Sequence, residues 1–169
     1  YRLLFARVGE GAPKPGPVTS TFFSPNAEQG ACPACRGLGT VRECDPAALI
    51  TNPDRSLLAG AMDGHKTGRF YGDPDGRYVA TLRAGGAAAG VDFSVPWRDL
   101  DSSARDVALR GLGDRELDVE WRYRRGTRTG VHRFQTKWIG LARLVLEEYE
   151  RKHADRRGAA LEPLLRSVP

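Results

Sequence analysis

A chain of 169 residues with 40% hydrophobic side chains can bury one modest core, and its 26 Lys and Arg against 21 Asp and Glu leave a formal charge of +5. That mild excess admits a nucleic-acid partner without requiring one. No run approaches the roughly 20 apolar residues of a membrane span and no signal peptide opens the chain, so the expectation is a cytoplasmic protein with no membrane partner.

Tyr1, Leu4, Phe5 and Val8 fall at i, i+3, i+4 and i+7, the stripe of a short amphipathic helix. Gly9 to Ser20 carries three prolines and three glycines and reads as an exposed connection. Thr40 to Glu43 predicts a short strand. Asp45 before Pro46 predicts a capped single turn of helix, with the proline at the first helical position. Thr67 to Asp75 reads as turn-rich, and Tyr78 to Ala89 as a weak helix, because Gly85 and Gly86 each cost about 1 kcal/mol relative to Ala.

Asp101-Ser102-Ser103 predicts the start of a helix presenting Ala104, Val107, Ala108 and Leu112 on one face, with Gly111 and Gly113 to end it. From Leu117 the period changes. Leu117, Val119, Trp121 and Tyr123 alternate with Asp118, Glu120, Arg122 and Arg124, which marks a strand with one buried face. A turn through Gly126 to Gly130 would return the chain along Val131 to Lys137 as a β-hairpin. Trp138, Leu141, Ala142, Val145 and Tyr149 hold helical spacing, as do Leu161, Leu164 and Leu165. The fold class expected is α+β: a small antiparallel hairpin or sheet with several packed helices, behind an irregular Gly/Pro-rich N-terminal segment.

Chemistry concentrates in two places. Cys32 and Cys35 stand two residues apart before a Gly-rich tail, a spacing that lets two thiolates span one edge of a zinc tetrahedron. Four ligands are needed, so on spacing alone zinc competes evenly with a redox pair or chance. An odd count of three cysteines suits a metal site better than a disulfide framework. Cys44 reads as a plain small side chain. The second place is the hairpin, where Arg122, Arg124, Arg125 and Arg128 gather at the tip and Arg133 and Lys137 follow on the return strand. Such a patch can neutralise DNA phosphates; equally, it can be a charged edge that resists aggregation. Trp97 and Trp138 read as core anchors, and Tyr123, the one tip aromatic, falls in the buried register. His65, His132 and His153 have no partner arrangement for nucleophilic catalysis. No phosphate-binding Gly-x-x-x-x-Gly-Lys-Ser/Thr occurs.

The run Phe23-Ser24-Pro25-Asn26, then Gly30-Ala31-Cys32-Pro33, then Cys35 and Gly37-Leu38-Gly39, resembles a segment of UvrA-type proteins, the damage-recognition ATPases of nucleotide excision repair. Tyr1 to Gly9, Asp45-Pro46, Asn52-Pro53 and Val95-Pro96-Trp97-Arg98-Asp99-Leu100 are similar to further stretches of that family. The resemblance implies a piece of a larger protein: residues 1–44 as flanking helix, linker and zinc-knuckle half, and 45–169 as the insertion domain. It implies Zn²⁺ at Cys32 and Cys35, completed by a second cysteine pair beyond Pro169, and ATP bound by a homodimeric parent outside these residues. Only Glu10 to Phe22 separates the first helix from Phe23. That places the chain with the shorter UvrA-like class, which includes drug self-resistance proteins, and argues against a direct UvrB contact. The function expected is that of a double-stranded-DNA-binding module; the alternative is a protein-interaction or gating module of the same ATPase.

Overall fold

The computed structural model describes residues 19–152 and 156–169. The first expected helix, most of the Gly/Pro-rich connection and His153 lie outside them. The chain divides into two units, the first within Tyr1–Arg42 and Ser167–Pro169, the second Glu43–Arg166. Elements in chain order are β1 (Val41–Cys44), α1 (Pro46–Leu49), α2 (Lys66–Tyr71), α3 (Arg77–Ala89), α4 (Ser102–Arg110), β2 (Glu116–Arg125), β3 (Arg128–Lys137), α5 (Leu141–Lys152) and β4 (Leu165–Val168). The strands form two two-stranded sheets, β1 with β4 and β2 with β3. The fold class is α+β.

In the second unit, local chemistry sets the element ends. Asp45 accepts from the Ala47 N–H and starts α1 at Pro46, while Asp101 accepts from Ala104 N–H at 2.7 Å and starts α4. Gly111, at φ 81°, ends α4, and Leu112 lies beyond the helix, donating its N–H to the Trp138 carbonyl at 2.8 Å. Leu112 is therefore not on the helical face where its spacing placed it. The Asn52-Pro53 loop and the Val95-Pro96-Trp97 segment are joined by backbone: Trp97 N–H donates to Arg55 carbonyl and Arg98 N–H to Pro53 carbonyl, both at 3.0 Å. These two stretches, distant in sequence, are thus one structural feature.

Three further expectations need correction. The stretch from Thr67, read as turn-rich, contains α2. His65 supplies its N-cap, with Nδ1 accepting from Gly68 N–H at 3.1 Å and Nε2 donating to the Leu49 carbonyl at 2.7 Å. Gly68 is required by its close approach to the Met62 carbonyl, so this glycine is a packing residue. The segment 161–165 is not α-helical: Arg156–Leu164 forms 3-10 turns with Pro163 inside, which cannot donate to a helical ladder, and Leu165 already belongs to β4. Trp138 precedes α5 rather than opening it.

The core of the second unit gathers Leu49, Leu57, Met62, Leu82, Trp138, Leu141 and Leu161, each at most 1% exposed. Trp138 Nε1–H donates to the Val107 carbonyl at 2.7 Å, and Trp97 is buried as well, so both act as core anchors. α3 turns Val79, Leu82, Gly85 and Gly86 inward. The two glycines weaken its helical propensity, but they let neighbours approach: a Cβ on Gly86 would stand 2.6 Å from the Val91 carbonyl oxygen.

Candidate functional site

β2 and β3 pair antiparallel from Glu116 opposite Lys137 to Arg125 opposite Arg128, leaving a two-residue turn of Gly126 and Thr127. Gly126 takes φ 59° and Thr127 does not share the left-handed region, as a type II′ hairpin turn requires. The turn is tighter than the five residues expected. This sets the register, and with it which side chains meet.

Burial fades along the hairpin. Leu117 and Val119 are 5% and 2% exposed, Trp121 and Tyr123 are half-buried, and Gly126 to Thr129 are exposed. The tip therefore stands clear of the core. Tyr123, expected in the buried register, is only half covered, with its ring lying over Gly130. Trp121 Nε1–H donates to the Asp75 carbonyl at 2.7 Å and ties the middle of β2 to the loop before α3.

The expected cationic residues fall into different electrostatic situations. Opposite residues share a face, so Glu120 and Arg133 stand together, with Arg122 two positions on. Glu120 receives both guanidinium groups: Arg133 Nη2 at 2.9 Å on one oxygen and Arg122 Nη2 at 2.9 Å on the other. The hydrogen bonds from Arg133, then Arg122, hold the Glu120 carboxyl below its ordinary range. Lys137 pairs with Asp114 at 2.8 Å; the same contact lowers the Asp114 carboxyl and raises the Lys137 ammonium. Arg124 and Arg128, by contrast, make no ion pair among the described residues. Arg125 lies opposite Arg128 across the turn.

In the first unit, a 3-10 turn over Ser20–Phe23 leads into the cysteine turn. Arg36 N–H donates to the Cys32 carbonyl at 2.7 Å and Leu38 N–H to the Cys35 carbonyl at 2.9 Å. Gly30 packs against the Phe22 and Ser24 carbonyls, and Gly37, at φ 86°, against the Pro25 carbonyl. Any side chain at either glycine would push the Phe-Ser-Pro turn off the cysteine turn. Backbone N–H groups of Cys35 and Ala34, then the Cys35 side chain, lower the Cys32 thiol pKa. Donors that favour a thiolate, and two thiols within reach of each other, suit a soft cation. Among the described residues no group of three or more His, Cys, Asp or Glu side chains could hold a metal. Cys44, 5% exposed in the second unit, is held as a neutral thiol: burial first, then the Asp45 charge, push its pKa up to about 11. No helix of the described residues is long and apolar enough to cross a membrane.

Residues 45–162 match the family model described as UvrA DNA-binding domain. The UvrABC system protein A of Mycobacterium tuberculosis is 33% identical over 148 residues, covering 87% of this chain and 14% of that protein. Its counterpart in Xylella fastidiosa is 31% identical over 141 residues, or 83% of this chain and 13% of that protein. The chain thus spans about one seventh of the length of these relatives. In structure it is similar to UvrA2 from Deinococcus radiodurans, with a TM-score of 0.61 at 22% identity, over 99% of this chain and 20% of that one.

Proposed function

The chain belongs to the UvrA family, and from that premise we propose that it is a double-stranded-DNA-binding module of a longer excision-repair protein, gripping phosphates with the β2–β3 hairpin. The observation that carries this reading is the exposed tip, where Arg124 and Arg128 have no carboxylate partner among the described residues and Arg125 adjoins them in register. Unpaired arginines meet phosphate without first giving up a salt bridge. Arg122, Arg133 and Lys137 serve as a second tier, since each must exchange Glu120 or Asp114 for phosphate. Phosphate contacts position a protein without reading sequence, which suits recognition of lesions in any sequence.

Cys32 and Cys35 are proposed as two of four Zn²⁺ ligands in the longer protein. The metal would supply a rigid cross-link at this turn. The residues present fit that role through their donors and glycine-tight backbone. ATP binding, a homodimeric parent and a place in repair or drug self-resistance belong to the same reading of the parent protein.

Duplex-DNA binding across a salt series tests the phosphate grip. Wild type should bind with a negative slope in log K against log salt, and Arg124→Ala, Arg125→Ala and Arg128→Ala should each flatten that slope by about 1. No binding at low salt, or slopes unmoved by all three, would overturn the reading in favour of a protein-interaction or gating module.

A further inference from the structure

The register that gathers the ion pairs on one face of the hairpin gathers rings on the other. Val119 stands opposite Phe134, Trp121 opposite His132 and Tyr123 opposite Gly130. Ring centroids are 5.3 Å apart for Trp121 and Tyr123, 6.4 Å for Trp121 and His132, and 5.7 Å for His132 and Phe134, the last pair stacked. Near Val119 this row is core. Toward the tip it is uncovered, for His132 is exposed while Trp121 and Tyr123 are half-buried. An open recess of about 460 Å³ lies there, lined by Trp121, Tyr123, Arg128, Val131 and His132. Trp121 and Tyr123 also border a second recess of about 380 Å³, which reaches Phe70, Tyr78 and Arg124.

Cations border the rings. Arg77 lies over both the Phe134 and Tyr78 rings, at 5.4 and 5.9 Å from their centroids. It has no carboxylate partner among the described residues, and neither do Arg69, Arg124 and Arg128. Asp73 and Asp75 are the acids at the second recess, and the Asp75 carbonyl is already taken by the Trp121 indole. Covering of Gly130 explains the placing of Tyr123 by packing alone. It does not explain an exposed imidazole stacked in the same row, nor the unpaired arginines around it.

We propose that this aromatic face receives unpaired, unstacked bases of a locally opened DNA strand while the bordering arginines hold the flanking phosphates. Resting on the DNA-binding reading above, it assigns a ligand to the rings that lie beside the arginines of the phosphate grip. Aromatic rings stack on any base, so the preference is for opened structure and not for sequence. A paired duplex keeps its base faces stacked on one another and cannot offer them.

The test uses the full chain with three probes: a paired duplex, the same duplex with a central run of mismatches, and oligothymidylate. The two opened probes should bind roughly tenfold more tightly than the paired duplex, the scale of one stacked base. They should quench tryptophan emission, which reports Trp121 because Trp97 and Trp138 are buried. His132→Ala and Tyr123→Ala should remove the preference without weakening paired-duplex binding, and Tyr123→Phe should retain it. Should Tyr123→Ala disturb the hairpin, the exposed His132→Ala carries the test. Equal binding of paired and mismatched duplexes, or a preference that survives His132→Ala, overturns this inference and leaves the phosphate grip standing. Absence of binding to any probe overturns both.

Discussion

Gly85 leaves the space that the Trp138 indole fills: a Cβ on Gly85 would stand 2.9 Å from Trp138 Cγ. The indole cannot swing away, because it is 1% exposed and its N–H is bonded to the Val107 carbonyl. Gly85→Ala gains about 1 kcal/mol of helix propensity but incurs an overpacking cost of about 1–3 kcal/mol. The expected outcome is net destabilisation of about 1 kcal/mol, read as a lower urea midpoint with an unchanged slope.

Trp121→Phe keeps a ring in the row but removes the indole N–H that reaches the Asp75 carbonyl, together with the part of the bicycle that carries it. The bond is exposed, so its share of the cost should sit at the low end of the range for one hydrogen bond, about 0.5 kcal/mol, with the lost ring contact added to it. Amide hydrogen exchange should quicken in the outer half of β2 and β3 while the Leu117 and Val119 region keeps its protection. Uniform protection would show that the core alone holds the hairpin.

Glu120→Gln removes the carboxylate that occupies Arg122 and Arg133. Both guanidinium groups become available, so duplex affinity at low salt should rise about tenfold and the salt slope should steepen by 1–2, as expected for roughly one added phosphate contact per arginine. Acid should act in the same direction. The Glu120 pKa is depressed in the fold, so whatever stability the cluster contributes is complete above the ordinary value of 4.5 and is lost as pH falls through the lower folded value. A Glu120→Gln protein whose salt slope matches wild type would show that the two arginines do not reach DNA.

Thiol chemistry separates Cys32 from Cys44. Cys32 is exposed with a lowered pKa, whereas Cys44 is buried with its pKa raised to about 11. With a thiol-reactive dye near neutral pH, Cys32 should label first and Cys44 only after denaturant is added. The Cys44 contribution is intact below 9.0, where the thiol is neutral in folded and unfolded chains alike, and declines between 9.0 and about 11, where only the unfolded chain ionises. Cys44→Ala should remove that alkaline decline.

Alternation from Leu117 to Tyr123 made the hairpin legible, and Asp45 and Asp101 made two helix starts legible, because each signal is local. α2 was not, since His65 acts as a cap only through its simultaneous bond to Leu49, and Gly68 only through Met62. The arginine positions could be read, but their pairing could not. Glu120 meets Arg133 only because the turn is two residues long; a five-residue turn sets a different register. For the same reason the row of Trp121 and His132 was invisible: residues eleven apart become neighbours through a register that one glycine decides.

The ends of the second unit lie side by side: Arg166 Nη2 is 3.7 Å from a Glu43 carboxylate oxygen, and the Asp45 N–H donates to the Leu164 carbonyl at 2.8 Å. A body whose entry and exit adjoin can be spliced into a host loop as a side branch, because the host need not stretch to span it. Its size then hardly affects the loop-closure entropy of the host. Insertions and deletions inside the branch are correspondingly neutral for the trunk, so such a unit can change its ligand face over evolution without the host protein being rebuilt around it.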